Sequence, residues 1–376
     1  MKPREALKGA RAAPAKRIAC APFIHALLSC VILSAGGCCS DDPVEPARVS
    51  PATDYLPEIR LSWSPASAPA HGRDPAYVAA TGDDRDFTAA LRTPVLRWFL
   101  PPDRVQAWYL QPGLPVAERD KAVNCLELYL RTADSLLPAA KAWEPESWGG
   151  IMLGMGYEGI DLRGDWSLEL WINDFAVEST ARRGVLHFDF GFISEDFFWP
   201  LADEGELILG TFESEDANRD GIFTPQEDTG LDGVANGPEG PDHYSVDYNA
   251  AGDPFPYING TEANNREDTE NIDGDHLFET TDGYYTLSVD LTGPATVDVL
   301  RDFAGPEVEE LRNMGLAWRL YRLDLAAGAV IVPPGGRYPD LRHVTHVRIW
   351  FEDAAPGAPF GRRLQLARLN FVDDRR

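Results

Sequence analysis

Asp216-Ala217-Asn218-Arg219-Asp220-Gly221-Ile222-Phe223-Thr224-Pro225-Gln226-Glu227 spaces its oxygen donors as a twelve-residue calcium loop requires. Calcium takes six to eight oxygens. Asp216, Asn218 and Asp220 offer side chains on alternate residues, Ile222 a backbone carbonyl, Thr224 a hydroxyl or a bridging water, and Glu227 two oxygens to close the ring. Gly221 stands where the chain must turn sharply. Pro225 and Asp228 do not suit an exiting helix, so the expectation is a free-standing calcium turn on a β scaffold.

A second set falls at the same spacing: Asn271, Asp273, Asp275, the carbonyl of Leu277, Glu279 and Asp282, with His276 where glycine is expected. Both sets lie in a strongly acidic stretch. Between Asp203 and Asp282 there are 22 acidic residues against Arg219 and Arg266, out of a chain charge of −26. Charge packed that densely opposes compaction unless solvent or cations neutralise it, which makes calcium the expected cofactor. It also argues against nucleic acid as a partner, since phosphate binding needs a cationic surface.

Other candidates are weaker. Trp171 and Trp350 alternate away from the expected core, beside Glu169, Asn173 and Arg348. On one concave sheet they would form a glycan-binding face. Otherwise they pack under a loop or under the acidic insertion. His343 and His346 are three apart on a strand, point to opposite faces and share no metal. His187 reads as a surface residue on the outer side of its strand, and Cys125 as a buried structural thiol. The chain has no G-x-S-x-G elbow, no phosphate loop and no H-E-x-x-H. The expectation is a protein that is not an enzyme.

The elements that hold these residues are mostly strands. Residues 167–173, 185–190, 285–291, 319–325, 347–351 and 362–372 alternate apolar and polar residues with period two. The spacing predicts an antiparallel jelly-roll β-sandwich over 89–376 with a long acidic calcium-binding insertion at about 213–282. Pro115 to Leu137 and Pro306 to Met314 are the expected short helices, and Tyr55 to Ser64 an added early strand. A structureless insertion of that length needs something to order it, and metal coordination is the natural agent.

The beginning of the chain assigns a compartment. Lys2, Arg4, Lys8, Arg11, Lys16 and Arg17 precede the apolar run from Ile18 to Ala35, which ends in Leu33-Ser34-Ala35-Gly36-Gly37-Cys38. Residues 1–37 read as a lipoprotein signal peptide, Cys38 as the acylated residue with Cys39 as its competitor, and 38–88 as a tether rich in Pro, Ala and Asp. The expected location is the cell envelope, as an outer-membrane lipoprotein that is surface-exposed or periplasmic.

Several segments together resemble the SprA-type cell-surface proteins of gliding motility and type IX secretion. They are Trp148-Gly149-Gly150-Ile151-Met152, Leu168 to Phe175, Phe188 to Asp196, Glu227 to Gly233, Asn259 to Asn265, Trp318 to Arg322, Val347 to Phe351 and Leu366 to Val372. The resemblance spans roughly 94–373 and implies a single jelly-roll unit of that family, without its giant barrel or its transport activity. The expected role is a calcium-stabilised structural or adhesion module facing a surface protein. The alternative is a carbohydrate-binding jelly roll facing a glycan.

Overall fold

Alternation becomes hydrogen-bonded pairing wherever two apolar faces can meet. The computed structural model describes residues 63–85, 96–99, 101, 104–130, 148–197, 210, 212–216, 218–228, 265–352 and 362–373. Two antiparallel sheets carry the described part. The first runs in the order β1 (Ser64–Pro65), β4 (Trp148–Gly154), β11 (His346–Glu352), β6 (Val185–Phe192), β7 (Gly283–Asp290), β10 (Ala329–Ile331). The second runs β2 (Leu96–Phe99), β3 (Cys125–Leu130), β12 (Arg362–Asp373), β5 (Trp166–Asn173), β9 (Trp318–Asp324), β8 (Val297–Asp298). The six strands expected from alternation all form, with ends shifted by a residue or two.

The main core lies between the sheets. Leu186, Phe188 and Phe190 of β6 and Ile349 and Phe351 of β11 meet Leu168, Leu170 and Ile172 of β5 and Leu364 and Leu366 of β12. Each such side chain, taken fully out of water, stabilises the fold by roughly 1.5–3 kcal/mol.

Two expectations about the scaffold fail for reasons of packing. Pro115 to Leu137 is not one helix. Of its described residues, 115–130, only Val116–Arg119 are helical, and Cys125–Leu130 is a strand, because Leu126 and Leu128 face the core while Cys125 and Glu127 are buried on its other side. Pro306–Asn313 is helical as expected, with proline at its start and Glu307 and Glu309 in its first turn. The alternating strands do not leave one face in water either. The outer face of the second sheet is covered by Ala107–Leu110, Val299–Asp302 and Pro306–Asn313, which bury Trp171 and Trp318.

The outer face of the first sheet is covered by Ala66 to Arg85, residues expected as part of a tether. Ala66, Ala68 and Ala70 are small enough to lie flat against Trp148, Met152, Tyr284 and Trp350. Backbone bonds run from Ala66 N to the Gly150 carbonyl (3.1 Å) and from Ala70 N to the Tyr284 hydroxyl (2.8 Å). Asp74 caps the helix Pro75–Thr81 and also accepts from Val332 N at 2.6 Å. Of the expected early strand only Trp63, buried in the main core, and Ser64, in β1, lie among the described residues; the rest of that segment, the signal peptide, Cys38 and residues 229–264 of the insertion lie outside them. Among the described residues, no helix is long and apolar enough to cross a membrane.

Candidate metal centre

The loop from Asp216 to Glu227 folds by its own short-range bonds. Asp216 accepts from Asp220 N (3.2 Å) and Gly221 N (2.8 Å), Asn218 Oδ1 from Asp220 N (2.8 Å), and Asp220 Oδ1 from Ile222 N (2.8 Å). Glu227 reaches back across the loop. It accepts from Asn218 Nδ2 (2.8 Å), the Thr224 amide (2.9 Å) and the Thr224 hydroxyl (2.7 Å). Arg219 and Gly221 take positive φ, 56° and 75°, so the chain turns back toward its donors at two points. Asn218, Asp220 and Ile222 are exposed, and Ile222 points its side chain to solvent with 64% of its surface free.

The stretch from Asn271 to Glu279 has the same backbone shape. Gly274 and His276 take positive φ, 77° and 68°, at the positions matching Arg219 and Gly221. Asp275 N donates to Asp273 Oδ1 (3.0 Å) and Leu277 N to Asp275 Oδ1 (2.7 Å), repeating the pattern of the first loop. His276 thus adopts the left-handed conformation for which glycine is the usual choice, at a cost in strain.

The surroundings of the two loops differ. The second is clamped to the strand ends of the first sheet. Glu195, just past β6, is completely buried, and its Oε1 accepts from Ile272 N (2.8 Å) and Asp273 N (3.2 Å), while Glu195 N donates to the Glu279 carbonyl (2.7 Å). Gly154 of β4 makes the approach possible: a Cβ there would lie 2.1 Å from the Ile272 carbonyl oxygen. Glu270, also buried, accepts from Phe197 N (3.1 Å) and Glu213 N (2.7 Å), tying both ends of the insertion together. His346, the first residue of β11, places Nε2 3.1 Å from Glu195 Oε1.

Among the described residues, two groups of three bring one ligand atom each within 4.8 Å of one another. They are Glu195, Asp273 and His346, and Asp273, Asp275 and Glu279, with Asp273 common to both. Oε2 of Glu195 and Oε2 of Glu279 are buried without a donor from elsewhere, and the two carboxyl groups lie within hydrogen-bonding reach of each other, so that one shared proton or a cation satisfies both. Burial dominates the electrostatics: it pushes the Glu195 and Glu279 carboxyls up to about 7 and Glu270 up to about 8, raises Asp273, and holds the His346 imidazole down to about 4. Four carboxylates crowded in a poorly solvated site call for protons or a cation.

No protein-family model matches this chain, and no curated protein does either. The chemistry must therefore be read from the residues themselves.

The candidates from the sequence separate as follows. Asp216, Asn218, Asp220, Ile222, Thr224 and Glu227 lie on one loop. Asn271, Asp273 and Asp275 lie on the second, where Asn271 Oδ1 holds Gly274 N at 2.8 Å. Asp282 does not join them, because Ser194 N and Arg73 draw its two oxygens away at 3.2 and 3.1 Å. In its place stand Glu195 and His346, 151 residues apart in the chain and marked by no local motif.

The proposed aromatic face does not form. Trp171 is on the second sheet and Trp350 on the first, both buried. Glu169 pairs with Arg322 at 2.7 Å beside Trp171. Arg348 is completely buried beside Trp350, donating to Asp189 (2.8 Å) and to the Ser67 carbonyl (3.1 Å) under the covering segment. His187 is not at the surface. It stacks on Trp350 with ring centres 3.7 Å apart, because Ala66 to Arg85 closes over both. Cys125 is buried, and burial raises its thiol well above the usual range, as an inert structural cysteine requires.

Proposed function

We propose that this chain is a calcium-stabilised surface module, exported, held to the outer membrane through lipid on Cys38, and acting as a structural or adhesive unit toward a surface protein. The observation that carries the reading is the Asp216–Glu227 loop, where two left-handed turns and five side-chain-to-backbone bonds hold calcium-type donors on one short ring. Extracellular calcium modules bind at about 10⁻⁴–10⁻³ M, which would order this acidic segment outside the cell.

The body is read as a jelly roll. β3 pairs with β12, β4 with β11, β5 with β9 and β6 with β7, the order of one long antiparallel hairpin rolled on itself. The segments that resemble SprA-type proteins extend the reading to partners in gliding or secretion machinery. Glycan binding has less support, because the polar face around Trp350 is filled by Ala66 to Arg85. The role is non-enzymatic in this reading.

Calorimetry on the purified chain tests it. Calcium should raise the melting temperature, chelator should reverse the rise, and Asp216→Ala/Glu227→Ala should remove the part due to this loop. A wild-type melting temperature indifferent to calcium would sink the proposal. Labelling with a fatty-acid analogue, lost in Cys38→Ala, checks the anchor.

A further inference from the structure

The second loop differs from the first in one donor that calcium rarely uses, an imidazole nitrogen. His346 is buried at the start of β11, with Nδ1 2.9 Å from the Thr345 hydroxyl oxygen and Nε2 toward Glu195. The Thr345 hydroxyl donates to the Gly191 carbonyl at 3.2 Å. Its single proton being so engaged, the Thr345 oxygen is left as the acceptor for an Nδ1–H, and the lone pair of His346 then sits on Nε2. That lone pair faces a carboxylate oxygen of Glu195, an arrangement of two acceptors that needs a positive centre between or beside them. Metal-binding histidines are oriented in this way, with the far ring nitrogen donating to a fixed acceptor.

Glu195 is set for the same task. Two backbone amides occupy Oε1 and fix its direction, while Oε2, completely buried, has no donor. Asp273 bridges this group to Asp275 and Glu279, and Glu279 Oε2 is buried and undonated as well. One nitrogen and several carboxylate oxygens form a donor set for a first-row transition dication. Imidazole suits zinc and its neighbours, and carboxylates extend the set to manganese. The hard all-oxygen shell that calcium prefers is what the first loop offers instead.

We propose that Glu195, Asp273, Glu279 and His346, with Asp275 at the solvent side, form a binding site for a divalent transition ion of the zinc or manganese class, separate from the calcium loop. The ion would join the end of β6, the returning arm of the acidic insertion and the start of β11, three places far apart in sequence. The site stands whether or not Asp216–Glu227 binds calcium.

The test uses the purified chain carrying Asp216→Ala/Glu227→Ala, so that the first loop is silent, in excess calcium. Zinc chloride and manganese chloride are titrated by calorimetry, and the manganese-loaded sample is examined by pulsed electron paramagnetic resonance for nitrogen coupling. The expected result is saturable binding, a melting-temperature rise of about 5 °C at an ion concentration 100-fold above Kd, and a nitrogen signal. Glu279→Gln should weaken binding about 10–100-fold, and His346→Gln should erase the nitrogen signal. Abolition of manganese binding by the excess calcium, a manganese spectrum without nitrogen coupling, or no binding at all would each overturn the assignment. The spectrum of the parent protein decides the matter even if His346→Gln does not fold.

Discussion

The two acidic loops share a backbone shape and differ in what holds them. Asp216–Glu227 is stabilised by its own amides and largely faces solvent. Asn271–Glu279 hangs on the sheet through Glu195 and lies against Gly154. Donors within a loop can be counted from spacing. Donors supplied by a neighbouring element depend on how the chain returns, so a motif that is incomplete in sequence can be completed in space. Here the twelfth position of the second loop, Asp282, bonds to Ser194 and Arg73, and Glu195, just past β6, and His346, at the start of β11, stand in its place.

That contrast can be broken by removing the anchor. Glu195→Ala should leave the buried Asp273 amide without an acceptor, at about 1–3 kcal/mol, and weaken the hold on Ile272 N, which keeps the Glu270 carbonyl at 3.0 Å. Denaturant unfolding should show a loss of about 2–3 kcal/mol, while the calcium response of the first loop survives. An equal loss of that response would mean the two loops act as one unit.

A further source of acid sensitivity lies away from both loops. His71, part of the covering segment, turns inward against Trp350, Tyr284 and His187, with Asp189, Arg348 and Asp83 as the charged groups around it. Burial first of all holds its pKa down to about 4, against 6.5 when exposed. The unfolded chain therefore binds the extra proton. The contribution is complete above pH 6.5 and is lost as pH falls through about 4, amounting to about 2–3 kcal/mol. Stability against pH for wild type and His71→Gln checks this, the variant losing less between pH 6.5 and 4.

Removing calcium should cost less. At a calcium concentration 10–100 times a Kd in the extracellular range, the linked stability is about 1.4–2.7 kcal/mol, read as the difference in unfolding free energy with and without chelator. The smallest change is expected at Ile222. Only its carbonyl is offered to the ion, so Ile222→Ala should alter stability by less than about 0.5 kcal/mol and leave calcium affinity unchanged. A large effect there would mean that the exposed side chain packs against a partner.

Much of the scaffold was legible because each core strand carries its own signature. Leu168, Leu170 and Ile172, or Leu186, Phe188 and Phe190, alternate whatever lies opposite. What alternation did not reveal was that the outer faces are also covered. Glu127 and Asp189 look like solvent-facing residues, yet both are buried, one bonded to Gln365 and the other to Arg348 and Trp350. The covering segment gave little warning, since the alternation of Ala66, Ala68 and Ala70 with Ser67 and Pro69 carries no large apolar side chain and its fit comes from small side chains lying flat on tryptophans. Cys125–Leu130 was misread because six residues are too few to separate a buried strand from a helix when both faces are apolar or buried.

By itself the order of residues determined six of the strands, the acidity of the insertion and the first loop, all of them properties of neighbours within about a dozen positions. Only the tertiary structure decided that Trp171 and Trp350 lie on opposite sheets, that His187 and Arg348 are sealed in, and that Glu195 and His346 meet Asp273. The physical reason is range: hydrogen-bond spacing and side-chain period act along the chain, whereas burial and charge crowding depend on which distant segments the sheets bring together.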